Sequence, residues 1–152
     1  MKWLLAALMM GFLPSAIFGA DDAKTDLKRL EGTWKVVSVE AAGNKVNPGK
    51  GAPEKIVIKD GKLTLFAGGK ALPTAKNLKI EIDPKKKPKT INLVRGEKES
   101  LPGIYEVKKD KLKLALPLIS LDRKPGEKIP RPKSFETKDK PVVVLVAKRS
   151  QK

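Results

Sequence analysis

From Thr33 onward apolar residues recur at every second position, and this period constrains the chain more than any other feature. The clearest case is Ile56-Val57-Ile58-Lys59, then Asp60-Gly61, then Lys62-Leu63-Thr64-Leu65. Asp-Gly supplies the positive φ angles of a two-residue type I′ turn, so the flanking runs predict a hairpin. Counting outward from that turn sets Lys59 opposite Lys62, Ile58 opposite Leu63, Val57 opposite Thr64 and Ile56 opposite Leu65. One face of the hairpin is then wholly aliphatic. A second hairpin centred on Lys109-Asp110 follows the same arithmetic without the help of a glycine. It pairs Val107 with Leu112 and Tyr105 with Leu114, while Lys108 meets Lys111 and Glu106 meets Lys113.

Runs of this kind, bounded by Gly, Pro, Asn and Asp, cover 33–40, 54–59, 62–66, 76–82, 89–95, 103–108, 111–116 and 141–148, which predicts eight strands. Leu78, Ile80 and Ile82 share one face of the fourth, and Ile91 and Leu93 repeat the pattern in the fifth. Before them a short helix is expected over 24–30, with Leu27 and Leu30 three apart, Thr25 or Asp26 as its cap and Gly32 as its end. Strands that are apolar on one side must close on themselves or pair with a second sheet, so a barrel and a sandwich both satisfy the pattern. Val142 to Ala147 is apolar on both faces, which requires a cover on the outer side; the helix at Leu27 and Leu30 is the candidate. If Trp34 points inward, strict alternation sends Val36 and Ser38 inward and Val37 and Val39 outward. Two stretches are irregular: 43–53, rich in Gly, and 117–140, punctuated by Pro117, Pro125, Pro130 and Pro132 around Phe135. The second is long enough to be a lid, but its Lys and Pro content fits a surface strap better.

The N-terminus carries an address. Lys2, the apolar stretch Trp3 to Leu13 and the small residues Ala16, Gly19 and Ala20 form the three regions of a secretory signal, too short to span a bilayer. The expected organisation is a signal peptide over 1–20 and a single domain over 21–152, secreted or periplasmic, with no transmembrane segment once the signal is removed. At that size roughly two thirds of the unfolded surface is buried, enough for a core without covalent staples.

The 152 residues include no Cys and no His. This removes thiolate and imidazole catalysis, disulfides, a lipoprotein anchor and the usual zinc ligands. Gly43 to Gly51 resembles a phosphate loop only superficially: five residues separate its glycines, and Gly51 stands where the magnesium-binding hydroxyl belongs. The carboxylate pairs Glu97 with Glu99 and Glu81 with Asp83 are flanked by Lys and read as surface residues. No enzyme, cofactor or metal is expected.

What remains is charge: 33 Lys and Arg against 17 Asp and Glu, a formal net charge of +16. Only Arg29, Arg95, Arg123, Arg131 and Arg149 are Arg. The aromatics after the signal reduce to Trp34, Phe66, Tyr105 and Phe135, so sequence-specific or base-stacking recognition of nucleic acid is not expected. Lysines can still hold a polyanion by releasing its counterions. The run Lys85, Lys86, Lys87 and Lys89 around Pro88 is the densest candidate, and the opposed pairs Lys59 with Lys62 and Lys108 with Lys111 repel until an anion screens them. The plainer reading is that the charge keeps an exported protein soluble.

Leu30-Glu31-Gly32-Thr33-Trp34-Lys35-Val36-Val37-Ser38, Ile82-Asp83-Pro84 with Pro88-Lys89-Thr90-Ile91, Pro102-Gly103-Ile104-Tyr105, and Arg131-Pro132-Lys133-Ser134-Phe135 together resemble a family of small exported domains abundant in planctomycetes and without an assigned activity. Gly32-Thr33-Trp34 after a short helix is also similar to the opening of lipocalins. That resemblance implies an all-β, eight-stranded antiparallel barrel in which Gly32, Trp34 and a late cation, Arg149 or Lys148, close one end. A lipocalin-like barrel in turn implies a small apolar ligand inside, lined by Ile56, Ile58, Leu63, Leu65, Leu78, Ile80, Tyr105, Leu112 and Leu114, unless those side chains fill the interior. The alternative partner is an anionic polymer of the cell envelope, held by Lys85, Lys86, Lys87 and Lys89.

Overall fold

The Asp60-Gly61 turn adopts the geometry its residues dictate. Both have positive φ, 52° and 72°, and the strands on either side pair in the register Lys59 with Lys62, Ile58 with Leu63, Val57 with Thr64 and Ile56 with Leu65. A computed structural model describes residues 23–119, 124 and 126–150, so the expected signal over 1–20 lies outside the described residues. The elements are α1 (Ala23–Leu30), β1 (Gly32–Ala41), β2 (Asn44–Val46), β3 (Lys55–Lys59), β4 (Lys62–Ala67), β5 (Lys70–Ala71), a 3-10 turn (Pro73–Ala75), β6 (Leu78–Asp83), β7 (Lys89–Arg95), β8 (Glu99–Lys108), β9 (Lys111–Pro117) and β10 (Val142–Arg149).

Antiparallel neighbours run β1, β3, β4, β6, β7, β8, β9, β10, and β10 pairs back onto β1 along nearly its whole length. The result is a closed eight-stranded antiparallel barrel, which decides between the barrel and the sandwich. Closure removes the free edges that a sheet of such apolar strands would otherwise expose. The eight expected runs are the eight staves. Two further pieces, β2 on β1 and β5 on β4, are too short to show a period.

Alternate residues of every stave face inward, and seventeen of them form one buried cluster with Leu30 of α1 and Ala52 of the loop before β3. Strict alternation fails once. Val36 pairs with Ala147 but Ser38 with Val146, so Val37 is an extra residue in β1, a β-bulge. Val37 is left 46% exposed and the parity flips beyond it, turning Val39 into the core at 3%. The expectation that Val39 faces out with Val37 is therefore corrected. A bulge leaves no mark in a run of valines, because the residue types on its two sides are the same.

α1 plugs one end of the barrel rather than lying on its wall. Leu30 is fully buried and Leu27 packs beside it against the main core. Asp26 is not the cap of the helix but sits within its first turn and is fully buried. The outer face of β10 needs another cover, and the strap supplies it: Ile104, Ala115, Val142 and Val144 form a second cluster on the outside of β8, β9 and β10, under Phe135. The assignment of that cover to the helix is corrected accordingly. The strap is fixed at two points. Arg131 donates to the carbonyls of Ile91 (3.0 Å) and Gly103 (2.7 Å) and to Asn92 Oδ1 (2.7 Å). Thr137 donates to Glu40 Oε1 and accepts from the Gly43 amide at 3.2 Å. Near the end of the strap, a hydrogen bond from Lys140 and its charge hold the Glu136 carboxyl below the ordinary carboxylate range.

Candidate functional site

The nine residues proposed to line a ligand cavity all face inward and all belong to the main core. Ile56, Leu63, Tyr105, Leu112 and Leu114 are at most 1% exposed, Ile58 is at 2%, and Leu65, Leu78 and Ile80 lie between 5% and 7%. A void large enough for water would expose its lining, so side chains at 0–2% face other atoms on all sides. Trp34, Ile91, Leu93 and Leu145, each at most 2% exposed, fill the core in addition to the nine. Leu65, Leu78 and Ile80 keep this small residual exposure, and Leu72 and Ala75 pack against the same core. Two concavities lie on the outside, one between Arg29, Val107, Lys108, Lys109 and Arg149 and another along Glu31 to Thr33 and Val57 to Lys59.

The α1 end carries the polar network. Trp34 and Arg149 are directly paired across β1 and β10, and the Arg149 guanidinium lies 4.2 Å over the indole ring. Its two terminal nitrogens donate to the carbonyls of Glu31 and Arg29, both at 2.7 Å, and the Trp34 Nε1 donates to Leu30 O at 2.8 Å. Gly32 has φ +130°, a backbone that favours glycine, and a Cβ there would stand 2.7 Å from an Arg149 guanidinium nitrogen and displace it from its present position. Gly32, Trp34 and Arg149 thus meet where the helix enters the barrel.

Beside them, Asp26 accepts from Arg29 at 3.1 Å through one oxygen, and from Lys89 Nζ (2.8 Å) and Tyr105 Oη (2.7 Å) through the other. Sequence reasoning missed this cluster, since 79 residues separate Asp26 from Tyr105. With no exposed surface and donors on both oxygens, the carboxylate has no room for a substrate. It ties the helix to the barrel. The assignment of Lys89 to a surface polyanion site is corrected by the same contact. Lys89 has the inward parity of Ile91 and Leu93, opposite Tyr105, so its ammonium enters the barrel mouth.

Lys85, Lys86 and Lys87 are exposed on the turn between β6 and β7. A larger basic feature arises from strand order. Lys108 is directly opposite Lys111, Lys111 opposite Lys148, Lys148 opposite Lys35, and Lys35 opposite Lys55, so one row of five lysines crosses β8, β9, β10, β1 and β3. All five have outward parity. Lys108 is paired with Glu106 at 3.5 Å, and Lys55 lies 4.3 Å over the Phe66 ring. Lys35, Lys111 and Lys148 form no ion pair among the described residues. Opposed residues on neighbouring strands have Cβ atoms about 5 Å apart, so like charges there repel. Only the Lys108–Lys111 step follows from a single hairpin; Lys111–Lys148 and Lys35–Lys55 need the order of the strands, and Lys148–Lys35 needs the barrel to close. The carboxylate pairs lie elsewhere, and three of their four members are engaged: Glu81 with Lys79 (3.2 Å), Asp83 with the Lys85 amide (3.1 Å) and Glu99 with Arg95 (2.9 Å).

No family model matches the chain, and no curated protein or solved structure matches it. Among the described residues no group of three or more metal-ligating side chains occurs, and no helix is long and apolar enough to cross a membrane.

Proposed function

We propose that the protein is an exported, non-enzymatic barrel of the planctomycete type that holds an anionic polymer of the cell envelope on its outer wall. The observation that carries this reading is the run Lys111, Lys148, Lys35: three exposed cations placed side by side with no acidic partner among the described residues. A sheet that only needed solubility would interleave its charges, since opposed lysines cost stability. Bound anions offset that cost and add the entropy of counterion release. The exposed turn of Lys85, Lys86 and Lys87 is a second point of attachment. The filled interior favours this reading over a small apolar ligand inside the barrel, and the engaged carboxylates favour it over hydrolysis.

The test is elution from an immobilised sulfated glycan. The wild type is expected to stay bound well above physiological salt. A variant with Lys35, Lys111 and Lys148 all changed to Gln is expected to elute at a clearly lower salt concentration than one with Lys85, Lys86 and Lys87 changed to Gln, although both lose three charges. Equal elution of the two variants, or release of the wild type at modest salt, removes the case for the row.

A further inference from the structure

The shape of the lysine row restricts what can occupy it. Its members are directly opposed on five consecutive staves, so it spans four of the eight strand intervals and winds around half the circumference. Consecutive positions are separated by one strand spacing, about 4.8 Å. Along the strands the row is narrow. Two residues further on, the outward positions of β8, β9 and β10 are Glu106, Lys113 and Val146, so on that side the basic character continues only at Lys113, which lies 5.3 Å from the Phe135 ring. The row is therefore a narrow curved track rather than a broad patch.

We infer that the occupant is a linear, single-chain anionic polysaccharide wound around the barrel across β8, β9, β10, β1 and β3; this rests on the polymer-binding reading above. Curvature excludes a stiff rod. Duplex DNA keeps its direction over about 50 nm, so it meets such a track only at a tangent and engages one or two lysines. A flexible single chain follows the wall and reaches all five. Between a single nucleic-acid strand and a glycan, the aromatic side chains decide. Single-strand readers gain much of their affinity by stacking bases on exposed rings. Here Trp34 and Tyr105 are buried, and Phe66 and Phe135 are each paired with a lysine. What the track offers is an ammonium group at each strand spacing, close to the length of one sugar ring, which suits a chain acidified on every ring.

The experiment measures dissociation constants of the full mature barrel for heparin fragments of increasing length, a single-stranded oligo(dT) and a duplex DNA, at matched charge and near-physiological salt. Affinity for the fragments is expected to rise with length and level off once the chain spans the row. The longest fragment is expected to bind at least tenfold more tightly than the duplex and severalfold more tightly than oligo(dT). Changing Lys35 and Lys148 to Gln is expected to reduce the slope of log K against log salt by about 1 to 1.5 for the longest fragment, taking the single-strand coefficient. Duplex binding equal to the glycan, or affinity independent of fragment length, overturns the curved track while leaving polymer binding in place. Oligo(dT) binding as tight as the glycan replaces the occupant with a nucleic acid. Failure of every polymer to bind overturns the underlying reading as well.

Discussion

Arg149, three residues from the end of the chain, stacks 4.2 Å over the ring of Trp34 and donates to two carbonyls of the helix-to-strand junction, those of Arg29 and Glu31. One side chain thus fastens the last stave, the first stave and the plug. Replacing Arg149 with Ala removes a desolvated cation–π contact and two charge-assisted hydrogen bonds, for an expected loss of about 2–3 kcal/mol. Arg149→Lys keeps the charge but cannot reach both carbonyls from one planar group, so it is expected to recover less than half of that loss. Urea unfolding followed by Trp34 emission reads both, and a lysine variant as stable as the wild type contradicts the geometric account.

The buried carboxylate makes a separate prediction. Asp26→Asn leaves the Lys89 ammonium in the barrel mouth without its counter-charge, at an expected cost of about 2–3 kcal/mol, discounted because Lys89 keeps some solvent contact. Tyr105→Phe removes one hydrogen bond and is expected to cost about 1–2 kcal/mol. Since both act through the same oxygen, the double variant is expected to be less destabilised than the two losses added, by about 1 kcal/mol. Additive losses in a double-mutant cycle would mean that the two do not share an interaction.

Of these two clusters the sequence pointed to the first, through Gly32, Trp34 and Arg149, and gave no sign of the second. Period-two patterning and the Asp60-Gly61 turn determine the staves and their register because each depends on neighbours a few residues away. The inward set from Ile56 to Leu114 follows from the same rule. The bulge at Val37 does not, because Val36 and Val37 are chemically alike and only the partner strand distinguishes them. Nor does the position of Lys89, where a charged residue occupies an inward register and is stabilised by Asp26, 63 residues away. The lysine row is the extreme case: two of its four steps depend on the order of the strands, and a third, Lys148 to Lys35, exists only because the barrel closes.

Gly103 illustrates close packing without an unusual backbone. A Cβ there would lie 2.7 Å from the Ala115 carbonyl oxygen and 2.8 Å from a Leu116 methyl. The carbonyl belongs to the neighbouring stave and cannot retreat alone, so Gly103→Ala is expected to cost about 1–3 kcal/mol and to weaken amide protection in β8 and β9. Gly96 is the contrasting control, with φ +63° and open space around it. There Ala is expected to cost about 1 kcal/mol, from conformation alone, with no loss of protection in those strands.

The strap is held by polar anchors at Arg131 and Thr137 and by one ring, Phe135, over the second cluster. Arg131→Ala withdraws three hydrogen bonds at one point, and Phe135→Ala uncovers Val142 and Val144. Each is expected to accelerate proteolysis between residues 126 and 140 by roughly tenfold while the barrel itself stays folded, since the strap opens as a local unit. Unchanged cleavage in both variants would show that the strap is held by other contacts.

The lysine row predicts an effect of unusual sign. Lys148 is flanked by Lys111 on one side and Lys35 on the other, with no acid beside it among the described residues. Most surface substitutions change stability little, and removing a charged group that forms ion pairs lowers it. Lys148→Glu instead converts two repulsions into two attractions, so the free protein is expected to become more stable by about 0.5–2 kcal/mol at low salt. The gain should shrink as ionic strength rises and the Debye length falls below the spacing of the row. The same variant is expected to bind the sulfated glycan less tightly, because the centre of the track has changed sign. Opposite movements of stability and affinity from one substitution are the signature of a charge array maintained for binding. A stability equal to or below that of the wild type at low salt would mean that the side chains already avoid one another in solution, and that the row is not held under repulsion.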